Sequence, residues 1–78
     1  MTTQQTIGEL ILERREAELM TVEQLAAEIG LTPNTVYRHQ AGVFAPRMET
    51  LAEYCRVLGI DGAEAAAARA ESRRRAKR

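Results

Sequence analysis

The sequence predicts an all-α fold of four to five short helices around one core. Three observations carry that expectation. Apolar residues recur at helical spacing, as in Ile7, Leu10 and Ile11 or Leu51, Cys55 and Leu58. Helix-starting residues precede the periodic stretches, and glycine follows several of them. No stretch alternates as a half-buried strand does. The 78 residues suffice for one small domain if nearly all the regular structure packs together.

Residues 1 to 5 are polar and are expected to fray. After Thr6, the stretch Ile7–Leu19 reads as the first helix, with Ile7, Leu10 and Ile11 on the core stripe and glutamates outside. Arg14 falls where another apolar residue would fit, and Leu12 and Leu19 lie off the stripe and need cover, for which the C-terminal segment is a candidate.

Thr21 to Ile29 reads as the second helix, with Thr21 and Gln24 forming a capping box. Gly30 supplies the positive backbone angle of a sharp turn. Thr32 then caps a third helix that has Pro33 at its first position, where a missing N–H costs nothing. At about 100° per residue, Val36 points inward while Asn34, Arg38 and Ala41 point outward and Tyr37 lies on the flank. Ala26 faces the crossing of the two helices, and Leu25, Ile29, Leu31 and Val36 form one apolar seam. The pattern over 21–40 is a helix-turn-helix, whose second helix commonly enters the DNA major groove.

The third helix stops at Gly42, and an apolar loop, Val43-Phe44-Ala45-Pro46, leads to a fourth helix from about Arg47 to Leu58. Met48, Leu51, Ala52, Cys55 and Leu58 are its expected core stripe, with Ile60 tucking in after Gly59. The chain thus divides into a helix-turn-helix domain, 1–60, and an Ala-rich helix with a basic tail, 61–78. That last helix opens with an Asp61-x-x-Glu64 capping signature. Alanine buries little area, so propensity is expected to hold it and its last turn to fray.

Equal numbers of acidic and basic residues, 11 each, offer no general attraction to phosphate. Their distribution is uneven: residues 1–60 carry five Arg against eight Glu, and residues 61–78 carry six basic residues against three acids. The run Arg73-Arg74-Arg75-Ala76-Lys77-Arg78 reads either as a phosphate-seeking arm or as a solubilising end. One cysteine excludes an internal disulfide, and one histidine excludes a zinc-ligand cluster; no metal, cofactor or small-molecule ligand is expected. No apolar run approaches the roughly 18 residues of a membrane span, and the N-terminus lacks a signal-peptide pattern, so a cytoplasmic protein is expected. Ser72 and Asp61 are the only residues of their kinds and no spacing joins a nucleophile to a base, so no enzymatic role is expected.

The stretches Thr21–Ala26 with Gly30, Leu31-Thr32, Thr35-Val36, Arg38, Gly42, Pro46 and Glu49-Thr50-Leu51 resemble the phage Cro and repressor family, also called the XRE family. The resemblance spans roughly Ile7 to Ile60 and implies a lambda-repressor-like bundle that controls transcription by binding double-stranded operator DNA. It implies that Pro33, Asn34, Tyr37 and Arg38 approach base edges and that Thr21, Val22, Thr35 and Arg47 lie near phosphates. A bacterial cell or phage-infected host is the implied setting, and a homodimer, at least on DNA, is among the implied assemblies.

Four positions depart from the family pattern. Val22 replaces a usual Gln that clamps phosphate, leaving that contact to backbone N–H groups. Gln40 replaces a usual Glu, and a neutral Gln can still accept a hydrogen bond from Arg15. His39 occupies an aliphatic or aromatic position and reads as a partly buried core-edge residue. Val43-Phe44 replaces polar loop residues and reads as packing on the fourth helix or as a partner surface. Tyr37 suits either a DNA contact or cover for the helix edge. A competing reading keeps the scaffold but gives it to protein binding, or to an antitoxin or recombination accessory factor.

Overall fold

The computed structural model describes residues 4–76. The expected fraying of residues 1–3 and the tail residues Lys77 and Arg78 lie outside the described residues. Five helices follow one another: α1 (Ile7–Ala17), α2 (Val22–Ile29), α3 (Pro33–Ala41), α4 (Met48–Leu58) and α5 (Gly62–Ala76). No strand occurs among the described residues, and no helix there is long and apolar enough to cross a membrane.

Local chemistry sets most of the helix boundaries. Thr6 caps α1 and Thr21 caps α2, each in a complete capping box, with Glu9 and Gln24 as the respective partners. Thr32 caps α3, its hydroxyl accepting from the Thr35 N–H at 3.2 Å. Thr32→Ala is therefore expected to lower stability by about 1 kcal/mol, readable by urea denaturation. Gly30 ends α2 at φ 88°, and the Gly30 and Leu31 N–H groups both return to the Ala26 carbonyl. That closes the turn and sets α3 across α2, with Ala26 buried at the crossing.

The core gathers Ile7, Leu10 and Ile11 of α1, Val22, Leu25 and Ala26 of α2, and Val36 of α3. Leu51, Tyr54 and Leu58 of α4, then Ile60, Ala65 and Ala68, complete it. Ile29, Leu31 and Cys55 pack against its edge. The Cys55 thiol is pushed up by burial and by the nearby Asp61 and Glu64 carboxylates.

Three expectations need correction. First, α1 ends at Ala17, and Leu19 stands in the left-handed region at φ 58°, 90% exposed. The Leu19 and Met20 N–H groups close the turn onto the Glu16 and Arg15 carbonyls, which aims the leucine at solvent, so nothing covers it. Leu12 is also exposed, and Arg14 occupies its apolar-stripe position because Glu64 of α5 pairs with it. Second, the buried face of α4 is rotated from the expected stripe. Tyr54 is fully buried, whereas Met48 and Ala52 are exposed and Cys55 is only half-buried.

Third, α5 is held by more than helix propensity. Ala65 and Ala68 enter the core, and the Ser72 hydroxyl accepts the Ile7 N–H at 2.9 Å, satisfying an orphan donor of α1. Glu71, buried, accepts from Arg74 Nε at 2.9 Å and from Arg75 Nε at 2.7 Å. Those hydrogen bonds hold its carboxyl below the usual range. Arg75 reaches on to Glu9 at 3.0 Å and to the Gln4 carbonyl at 3.1 Å. The last turns of α5 are thereby tied to the start of α1.

Candidate nucleic-acid interface

The helix-turn-helix presents one open face. Val36, with no exposed surface, anchors α3 from beneath, and Pro33, Asn34, Tyr37 and Arg38 are all exposed on it. Neither Asn34 nor Arg38 has a side-chain hydrogen bond or ion pair to any described residue. An asparagine and an arginine at i and i+4 share a helix face, so their donors and acceptors are available side by side. Tyr37 is half exposed and belongs to the same surface.

Around these groups stand the expected phosphate-side residues. Thr21 caps α2 and Thr35 lies in the first turn of α3, at helix N-termini where the dipole favours an anion. Their hydroxyls are engaged locally, Thr21 Oγ1 with the Gln24 N–H at 3.0 Å and Thr35 Oγ1 with Thr32 Oγ1 at 2.9 Å. Val22 is buried, which leaves only its backbone N–H for a phosphate. Arg47, at the N-cap of α4, is exposed and has no ion pair among the described residues.

A polar brace fixes α3 from behind. Arg15 Nε donates to Gln40 Oε1 at 2.8 Å, and its Nη1 donates to the Met20 carbonyl at 2.8 Å. One guanidinium therefore joins α1, the α1–α2 turn and the end of α3. The charge of a glutamate at position 40 is not needed for this geometry, because an amide oxygen also accepts from the guanidinium, with less charge assistance.

The basic tail is divided in its contacts. Arg74 and Arg75 pair with Glu71, and Arg75 also pairs with Glu9, whereas Arg73 is exposed without an ion pair among the described residues. Lys77 and Arg78 lie outside the described residues.

Two features of the interface scaffold escaped the sequence reading. Gly8 lies against the end of α3: a Cβ there would sit 2.5 Å from the His39 carbonyl oxygen and closer still to that of Gln40. A glycine inside a helix, where it costs about 1 kcal/mol relative to alanine, was the available signal. The second is the His39–Tyr54 pair, both buried, whose Nδ1 and hydroxyl share a 2.8 Å hydrogen bond. Phe44 packs edge-on against the His39 ring at 5.1 Å. The loop residue Phe44 thus packs on His39 and is still 45% exposed, while Val43 is 67% exposed. Among the described residues no group of three or more His, Cys, Asp and Glu is placed to hold a metal ion.

No curated protein and no solved structure matches the chain. The family model described as helix-turn-helix matches residues 11–64, which takes in α2, α3 and α4 and most of α1. With its turn, caps and exposed α3 face in place, the chain belongs to the XRE-type helix-turn-helix family of DNA-binding proteins, the family of the phage Cro and repressor proteins.

Proposed function

We propose that this protein is a sequence-specific regulator that occupies operator DNA with α3 in the major groove. The observation that carries the reading is the pairing of Asn34 and Arg38 on the exposed side of a helix whose other side is anchored by Val36. Arg38 offers a bidentate contact to guanine and Asn34 one to adenine, while Tyr37 and Pro33 shape the apolar part of the contact. Thr21, Thr35, Arg47 and the N–H groups at the start of α2, including that of Val22, hold the phosphates. These contacts come from one short helix, which suits two copies on a two-fold operator with half-sites one helical turn apart.

Titration of a mixed-sequence duplex across a range of salt tests the electrostatic part. Affinity should fall steeply with salt, with a slope of about −0.9 per phosphate neutralised. No salt-dependent affinity for duplex DNA would move the reading to a protein partner. The exposed Val43 and Phe44 would then be its contact surface.

The tail has two readouts. Truncation after Ser72 removes Arg73, Arg74, Arg75, Lys77 and Arg78 together. It is expected to lower the thermal midpoint, since the pairs to Glu71 and Glu9 go with it. It is also expected to flatten the salt slope of DNA binding without changing base preference. A lower midpoint with an unchanged slope would assign the tail to the fold alone.

A further inference from the structure

We infer that His39 is a positioning residue for the recognition helix: its hydrogen bond to Tyr54 latches the last turn of α3 and the Phe44 loop, and a proton on its ring opens the latch. The inference rests on the DNA-reading role of α3 and adds to it a dependence of operator affinity on acidity. Three observations support it. The imidazole is 4% exposed and the tyrosine fully buried, so the bond between them spans α3 and α4 inside the protein. Phe44 stands edge-on to the imidazole, so the loop following α3 rests on the same ring. His39 also lines an open groove of about 470 Å³ together with Glu9, Phe44, Ser72 and Arg75.

The hydrogen-bond inventory gives the latch its sign. The Tyr54 hydroxyl has no other partner among the described residues, and a buried O–H needs an acceptor. A neutral imidazole with its proton on Nε2 provides one at Nδ1. The cation carries protons on both nitrogens, so Nδ1 can only donate, and the tyrosine hydrogen loses its acceptor. Burial holds the His39 pKa below its ordinary value and pushes Tyr54 up to about 12, which keeps the hydroxyl a neutral donor.

The surroundings supply little to offset this. From α1, Glu9 is engaged by Arg75 of α5 at 3.0 Å, and Arg15 is turned to Gln40 and the Met20 carbonyl. From α2, Glu23 and Glu28 are exposed to solvent, and from α4 the group facing the ring is Tyr54 itself. On α3, Arg38 points outward, and the loop contributes no ionisable side chain before Arg47. The carbonyl end of α3 favours a cation, but less than burial disfavours it.

A group whose folded pKa is depressed supplies stability above its unfolded pKa, and that stability is lost as pH falls through the folded value. For His39 the loss begins near pH 6.5 and continues below it. In the free protein the loop can yield to admit the proton. With α3 held in a groove, displacement of its last turn costs more, so proton and DNA compete through a coupling that is reciprocal.

The test measures affinity for a selected duplex and NMR titration of the full chain, at constant salt, over about pH 5.5 to 7.5. The chain has one histidine, so an imidazole titration reports His39 alone. Wild type should lose affinity toward the acid end by up to a few-fold, while His39→Leu and Tyr54→Phe show a flatter profile. The Gly42, Val43 and Phe44 amide resonances should follow the imidazole midpoint in wild type and not in Tyr54→Phe. Two variants are needed because either alone can disturb packing. A wild-type profile equal to that of His39→Leu, or an affinity that rises with acid, would overturn the latch while leaving DNA reading intact. If no duplex is bound at any pH, the DNA-reading role fails separately. The latch then stands if the loop amides follow the imidazole and falls if they do not.

Discussion

Arg38→Ala is expected to lower affinity for the selected operator by on the order of 1 to 3 kcal/mol, roughly five- to 150-fold, and to erase preference at one guanine per half-site. The side chain is exposed and unpaired among the described residues, so its removal leaves the fold intact and the circular dichroism unchanged. A phosphate-contacting arginine would behave differently. Its loss would weaken binding to all duplexes alike and reduce the salt slope by about one unit. Competition between the operator and a duplex with that guanine replaced separates the two, because only a base-reading arginine makes wild type sensitive to the replacement and the variant indifferent. Equal discrimination by both proteins would remove Arg38 from the reading face.

Gly8→Ala is expected to be strongly destabilising, since Gly8 is the one glycine at which an added Cβ would meet other atoms. The new Cβ would meet the carbonyl oxygens of His39 and Gln40, which are backbone atoms and cannot swing aside. Alanine would contribute up to about 1 kcal/mol of helix propensity, but overpacking against backbone costs 1 to 3 kcal/mol and occasionally more. Relief requires α1 to move off α3, which breaks the Arg15–Gln40 brace and shifts the end of the reading helix. A domain of this size holds only about 4 to 12 kcal/mol in all. The expected net loss is about 2 kcal/mol, measured by urea denaturation, with weaker operator binding in the variant that remains folded. A neutral or stabilising result would mean that α1 and α3 do not approach as closely as the structure places them.

The helix-turn-helix was legible because its determinants are local. Caps at Thr6, Thr21 and Thr32 and the left-handed Gly30 are set by neighbours a few residues away. The outward side of α3 follows from the single anchor Val36. What failed depended on distant partners. Tyr54 was not assigned to the core because a tyrosine is buried only where its hydroxyl finds a partner, and that partner, His39, lies 15 residues back on another helix. Arg75 read as part of a phosphate-seeking arm or a solubilising end, yet it joins Glu71 to Glu9, which lies 66 residues from it in the chain. Leu19 erred in the other direction. Its apolar character suggested burial, but the turn after α1 fixes its backbone angle and so aims it outward.

The two corrections at α4 and α5 bear on the candidate interface as well as on stability. With Tyr54 inward, α4 contacts α3 through a polar atom, and the recognition helix rests on a hydrogen bond as well as on Val36. With α5 tied to the start of α1, the helix that abuts the end of α3 at Gly8 is held from its far side. Position and tilt of α3 are therefore set by α1, α2 and α4 together.

Whether the exposed side of α3 reads bases is decided by selecting bound sequences from random duplex DNA at near-physiological salt. The expected result is a short motif, repeated with two-fold symmetry about one helical turn apart, containing a guanine that Arg38→Ala no longer enriches and an adenine that Asn34→Ala no longer enriches. Recovery of no motif by a protein shown to be folded, or of one motif unchanged in both variants, would contradict it.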